Sequence, residues 1–164
     1  MDKKILVAYG SKRGSTAQIA ERIGEILRQK GLQADVLDAG KVKDLTPYSK
    51  IILGSSVYYG LWHRNAVQFL KKNTEVLEKL PVWLFISGPT GPEDPVEHMD
   101  GQFYPKNLQP VIDRIHPRAI TCFGGKLIIN ELSSFEKWII KNVKAPEGDY
   151  RDWQAIASFA ESIL

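Results

Sequence analysis

The run Ser11-Lys12-Arg13-Gly14-Ser15-Thr16 sets hydroxyls, two cations and a glycine where the chain changes character. Before it lies the apolar run Ile5-Leu6-Val7-Ala8-Tyr9, and after it Ile19, Ile23, Ile26 and Leu27 recur at helical spacing. A hydroxyl-bearing turn at a helix N-terminus offers free N–H groups and the positive end of the helix dipole. The chemistry such a turn suits is the seating of an anion, and a phosphate above all. Each neutral hydrogen bond to the anion nets roughly 1 kcal/mol, and charge-assisted ones more. The plainer reading is a strand-to-helix turn with Ser11 or Ser15 as N-cap. Other phosphate motifs do not match. No Gly-Lys-Ser/Thr ends the turn, and there is no Gly-x-Gly-x-x-Gly. A phospho-receiver domain would need clustered acids where this chain has Tyr9-Gly10-Ser11.

Two further loops are suited to the same ligand. Ser55-Ser56-Val57-Tyr58-Tyr59-Gly60-Leu61-Trp62-His63 follows the apolar run Ile51-Ile52-Leu53-Gly54 and offers aromatic rings and a glycine. Ser87-Gly88-Pro89-Thr90-Gly91 follows residues 82–86 and offers small side chains and free amides. Tyr58, Tyr59 or Trp62 could stack on a flat ring, at on the order of 1 kcal/mol beyond area burial. They could equally roof the core or form an interface. Gly60 allows close backbone approach. His63 reads mainly as a helix-start residue, with a ring-side proton donor as the minority reading. His98 and His116 have no metal-ligand spacing and read as surface or packing residues. Cys122 reads as a small buried hydrophobe. No side chain is nominated as catalytic, and no metal site is expected.

The elements that must position these loops alternate strand and helix. Residues 5–9, 51–53 and 82–86 read as buried strands, 32–38 as an edge strand and 119–123 as a weaker fifth. Residues 15–30 read as a helix capped by Gly31, followed by helices over 64–72 and 152–164. The last is expected to bury Trp153, Ile156, Ala157, Ala160 and Ile163 on one side. This pattern predicts βαβ units, a doubly wound parallel sheet and helices on both faces, an α/β/α sandwich of three layers. In such a sheet ligands bind outside the carboxyl ends of the strands, where the order switches direction. Residues 88–105 form a Gly/Pro-rich stretch long enough to suggest a functional loop. Residues 125–149 read as an insertion with its own helix over 133–143. There Phe135, Trp138, Ile139 and Val143, with Lys137, Lys141 and Lys144, could make a membrane-surface helix. A face packed on the domain or docking a partner is the favoured reading.

A length of 164 residues suits a single domain spanning 1–164. No apolar run reaches the ~20 residues of a membrane span. Met1-Asp2-Lys3-Lys4 leads straight into the first strand, so no signal peptide is expected. The single cysteine fits a reducing cytoplasm. Lys and Arg exceed Asp and Glu by 22 to 19, too little to imply nucleic acid when no basic tract accompanies it.

The trio of loops resembles the flavodoxin family, whose cofactor is FMN. Residues 11–16 match its Ser/Thr-x-x-Gly-x-Thr phosphate loop, with Lys12 and Arg13 in place of the usual hydroxyl-rich middle. The resemblance implies a five-stranded sheet of order 2-1-3-4-5. It implies FMN contacts from Ser11, Lys12, Arg13, Gly14, Ser15 and Thr16. It also implies contacts from Ser56, Val57, Tyr58, Tyr59, Gly60 and Trp62, and from Ser87, Gly88, Pro89, Thr90 and Gly91. In that family a backbone carbonyl of the second loop meets the flavin N5–H once the ring is reduced, and Gly60 is one candidate. Residues 54–63, 69–72 and 152–160 look like the branch that contains menaquinone-dependent protoporphyrinogen oxidase. The similarity covers most of the chain and is weakest over 88–117. The implied function is electron transfer through FMN to a redox partner protein or a quinone. The alternative is a flavin-dependent oxidoreductase acting on a small molecule of the protoporphyrinogen type.

Overall fold

Strands with apolar side chains on both faces pair as one parallel sheet. The structure, a computed structural model, describes residues 3–58, 60–143 and 146–164, and the side chains of 142 and 143 lie outside that description. The strands are β1 (Lys4–Gly10), β2 (Ala34–Asp38), β3 (Tyr48–Tyr58), β4 (Leu61–Trp62), β5 (Val82–Ser87), β6 (Ala119–Phe123), β7 (Lys126–Leu127) and β8 (Gly148–Asp149). The helices are α1 (Ser15–Gln29), α2 (Arg64–Lys72), α3 (Thr74–Leu77), α4 (Pro95–Met99), α5 (Gln109–Ile115), α6 (Ser134–Val143) and α7 (Trp153–Glu161). The parallel order is β2-β1-β3-β5-β6, which is 2-1-3-4-5 when the parallel strands alone are numbered. Two short additions were not expected: β4 folds back antiparallel on β3, and β7 pairs antiparallel with β8.

Alternation along each central strand sends side chains to two separate cores. Leu6, Ala8, Ile51, Leu53, Leu84 and Ile86 meet α2 and α5 on one face. Ile5, Val7, Ile52 and Phe85 meet α1 and α7 on the other. Ile19, Ile23, Ile26 and Leu27 of α1 are all buried there, each worth roughly 1.5–3 kcal/mol relative to exposure. The Phe85, Phe123 and Phe159 rings lie 5.7–6.1 Å apart and clamp α7 to β5 and β6.

Several expectations are corrected. Residues 55–58 continue β3 instead of looping, because Ser55 and Ser56 pair with Ile86 and Ser87 through backbone that needs no apolar side chain, and Val57 and Tyr58 pair with Trp62 and Leu61. Neither Ser11 nor Ser15 caps α1; the N-cap is Gly14 at φ 86°, and the Ser11 hydroxyl accepts from the Gly14 amide at 3.0 Å. Trp153 is 40% exposed with the Arg151 guanidinium 4.8 Å above its ring, and Phe159 takes its place in the core. The stretch 88–105 contains α4, capped by Asp94, whose carboxylate accepts from the Val96 amide at 2.8 Å. On α6, Ile139 and Ile140 are half-buried, while Phe135 and Trp138 are 69% and 63% exposed and stack on each other. Met1, Asp2 and Lys144, which figured in the sequence reading, lie outside the described residues. No helix among the described residues is long and apolar enough to cross a membrane.

Candidate functional site at the carboxyl edge of the sheet

Three chain segments leave the carboxyl ends of β1, β3 and β5 side by side, at the point where the strand order reverses. Between them lies a cavity of about 530 Å³. Ser15 enters it from the first turn of α1. Ser56, Val57, Tyr58 and Gly60 wall it from the β3–β4 hairpin. Ser87, Gly88, Pro89 and Thr90 wall it from the exit of β5.

The opening turn leaves the α1 N-terminus without a side-chain cap. Gly14 brings no side-chain acceptor to the α1 N-terminus, and the first turn carries no acidic residue. The partial positive charge there is therefore left uncancelled locally. Behind the turn the Thr16 and Ser87 hydroxyls hydrogen-bond each other at 2.7 Å, which ties the first loop to the third inside the protein. Gly88 is required where it stands, since a Cβ on it would lie 2.7 Å from the Val57 carbonyl oxygen. Ser56 Oγ is buried and, among the described residues, is the side-chain polar atom left without a hydrogen-bond partner. A buried hydroxyl without a partner costs about 1–3 kcal/mol, and its position in the cavity wall fits a polar ligand that supplies one.

The loop cations do not project freely into the site. Arg13 pairs with the Glu136 carboxylate and donates to the Glu131 carbonyl at 2.9 Å. Lys12 lies 3.4 Å from Glu136 and 5.7 Å from the centre of the Tyr58 ring. The Arg13 hydrogen bond, ahead of those from Ser133 and Lys12, holds the Glu136 carboxyl down at about 2. Burial, more than any charge, pushes the Tyr58 phenol up, with Arg13 opposing. A second cavity of about 160 Å³ adjoins the first at Ser15, Tyr58, Lys126 and Leu127, with Arg13 in its wall.

Other expected residues stand elsewhere. Trp62 is 6% exposed and its indole N–H donates to the Phe103 carbonyl at 2.8 Å, so it roofs the core and anchors the 88–105 segment instead of lining the cavity. Ser11, Gly14, Thr16 and Gly91 flank the site without lining the larger cavity. Tyr59 lies outside the described residues. His63 is the N-cap of α2, its Nδ1 accepting from the Asn65 amide at 3.1 Å, which matches its main reading. Cys122 is buried and its thiol is pushed up to about 12, chiefly by burial, so it is no nucleophile near neutral pH.

The wall opposite these loops escaped the sequence reading. Glu93, His98 and Met99 come from the 88–105 segment; His98 is exposed, as its surface reading has it, and also lines the cavity rim. Lys126, Leu127 and Ile140 come from the 125–149 insertion. The unusual lengths of these two segments were the available signal; which residues turn inward depends on contacts between distant parts of the chain.

A family model described as a flavodoxin domain matches residues 6–154. The protoporphyrinogen IX dehydrogenase (quinone) of Escherichia coli strain K12 is 22% identical over 171 residues, covering 98% of this chain and 94% of that protein. The Leishmania major protein of the same name is 22% identical over 169 residues, covering 96% of this chain and 73% of that one. The solved structure of oxidised flavodoxin 2 from Bacillus cereus superposes with a TM-score of 0.57 at 21% identity, covering 97% of this chain and 96% of that one.

Proposed function

Since the chain belongs to the flavodoxin-domain family, we propose that it is an FMN-binding redox flavoprotein that passes electrons through the flavin. The observation that carries this is the cavity between the uncapped α1 N-terminus, the β3–β4 hairpin and the 87–90 loop, with the unpartnered Ser56 hydroxyl in its wall. FMN, when bound, supplies reversible electron transfer at its isoalloxazine ring. The protein's part is to bind, orient and shield. The amides of the first turn of α1, with the Ser15 hydroxyl, would hold the phosphate dianion. Tyr58 and Val57 would flank the ring on one side and residues 87–90 on the other. Met99, Leu127 and Ile140 supply the apolar part of the far wall, beside Glu93, His98 and Lys126. Lys12 and Arg13, expected from sequence as direct phosphate contacts, act at one remove through their pairing with Glu136.

A second reading is oxidation of a small molecule with a quinone as acceptor. The names of the curated relatives and the far wall of mixed polar and apolar residues, which adds room beside the three loops, support it. The partner is accordingly a redox protein or a quinone. A cytoplasmic setting is our reading from the lone, buried Cys122. The decisive measurement is the visible spectrum of the purified protein and the identity of any released chromophore. A colourless protein that FMN cannot restore at saturation removes the proposal. Anaerobic reduction of the holoprotein, followed by screening protoporphyrinogen, quinones and protein acceptors, separates carrier from enzyme. No turnover with any small molecule favours the carrier.

A further inference from the structure

Glu136 pairs with both cations of the opening loop. It sits on α6, within the 125–149 insertion, 123 residues from Arg13 in sequence. Lys12 Nζ stands 3.4 Å from one carboxylate oxygen, and the Arg13 guanidinium bonds the other. Arg13 also donates to the Glu131 carbonyl at 2.9 Å, so one guanidinium holds both the start of the insertion's helical segment and the turn before it. The Ser133 hydroxyl accepts from the Glu136 amide at 3.2 Å, which fixes the first turn of α6 in register with this contact. One turn further on, at i+4, Ile140 reaches the wall of the larger cavity. The same inner face of α6 therefore meets the loop cations at one end and the ligand space at the other.

Two consequences follow from ordinary electrostatics and packing. A dianion approaching the α1 N-terminus meets two cations whose field an internal carboxylate already offsets. That carboxylate ties the insertion to the opening loop, beside the buried Leu127 and Leu132 and the bond from the Gly125 amide to the Pro89 carbonyl that also hold it. We propose that Glu136 is a positioning residue that latches α6 over the cofactor cavity and acts as an internal counter-anion, lowering the share of FMN affinity that its phosphate provides. The inference rests on the flavin reading for its second half and on the fold alone for its first.

The test compares the wild-type protein with Glu136→Gln in two measurements. Without flavin, amide hydrogen exchange of residues 129–141 is expected to speed up in E136Q while the β1, β3 and β5 amides keep their protection. Unchanged exchange in 129–141 overturns the latch. With flavin, the ratio of the riboflavin to the FMN dissociation constant is expected to rise about fivefold in E136Q at low salt and to fall back as salt screens the freed cations. A ratio that stays constant or drops overturns the counter-anion role, and a purely structural effect of the substitution would weaken both flavins alike. Wild-type protein that binds neither flavin refutes the flavin reading and with it the counter-anion role, while the exchange measurement still decides the latch.

Discussion

Replacing Ser56 with alanine should change the flavin-free and flavin-bound protein in opposite directions. The Ser56 side chain is buried and its Oγ has no partner, while its backbone carbonyl accepts from the Ser55 hydroxyl at 2.9 Å and from the His63 amide at 3.2 Å. Alanine keeps those backbone bonds and the pairing with Ser87, and removes only the hydroxyl. Burying an unpaired hydroxyl costs about 1–3 kcal/mol, so its removal returns part of that cost, less the packing lost with one oxygen. A net gain of about 1 kcal/mol raises the midpoint of thermal unfolding by about 2–4 °C in a domain of this size. On the proposed reading, bound flavin would give the hydroxyl a polar neighbour to bond. Losing that bond costs about 1 kcal/mol, or close to fivefold in the dissociation constant. Thermal melts with and without FMN, together with a fluorescence-quenching titration, read both effects. Flavin-free S56A that melts several degrees below wild type, or S56A with unaltered FMN affinity, would refute the assignment of this hydroxyl to the cofactor.

Gly88→Ala places a methyl group 2.7 Å from the Val57 carbonyl oxygen, so the 87–90 loop must move away from β3. Strain of about 1–3 kcal/mol is expected to weaken FMN binding about fivefold or more while far-ultraviolet circular dichroism stays unchanged. Glu136 titrates near 2 when folded, against an ordinary 4.5, because Arg13 bonds its charged form. A lowered folded value means that its stabilisation is complete above about 4.5 and is lost as pH falls towards 2. Acid melts should therefore show wild type losing in that window a stability margin over E136Q that it holds at neutral pH. The chain's formal net charge of +3 should stabilise an anionic reduced flavin. Redox titration is expected to give the fully reduced couple a less negative potential than in an acidic flavodoxin, and a strongly negative value would contradict this.

The handover from β1 to α1 was readable because two local signals meet there: an apolar run of strand length, then hydroxyls ahead of a 3.6-period stripe. The same logic located β5 and α2, and it singled out the three loops that meet at the switch point. It stopped short where structure is carried by backbone. Ser55 and Ser56 look like loop residues by type, yet they extend β3 because Ile86 and Ser87 offer a ladder beside them, and Val57 and Tyr58 carry it on against Trp62 and Leu61. Trp62 has the chemistry of a ring-stacking residue, and only the Phe103 carbonyl, 41 positions away, reveals what its N–H binds. The placing of His98 and Ile140 along the cavity, and the Arg13–Glu136 contact, likewise depend on closure of long loops, which leaves no local trace. The helices α3, α4 and α5 are short, and their caps give weaker signals than a long amphipathic stripe.

The bond between Thr16 and Ser87 makes two distant positions a single evolutionary character. Either hydroxyl stranded in the interior costs more than exchanging both for matched aliphatic groups. Among related proteins the two sites should drift in tandem, hydroxyl with hydroxyl or methyl with methyl, and mixed combinations should be scarce. A double-substituted Thr16→Val, Ser87→Ala protein should correspondingly lie closer to the parent in stability than either single change.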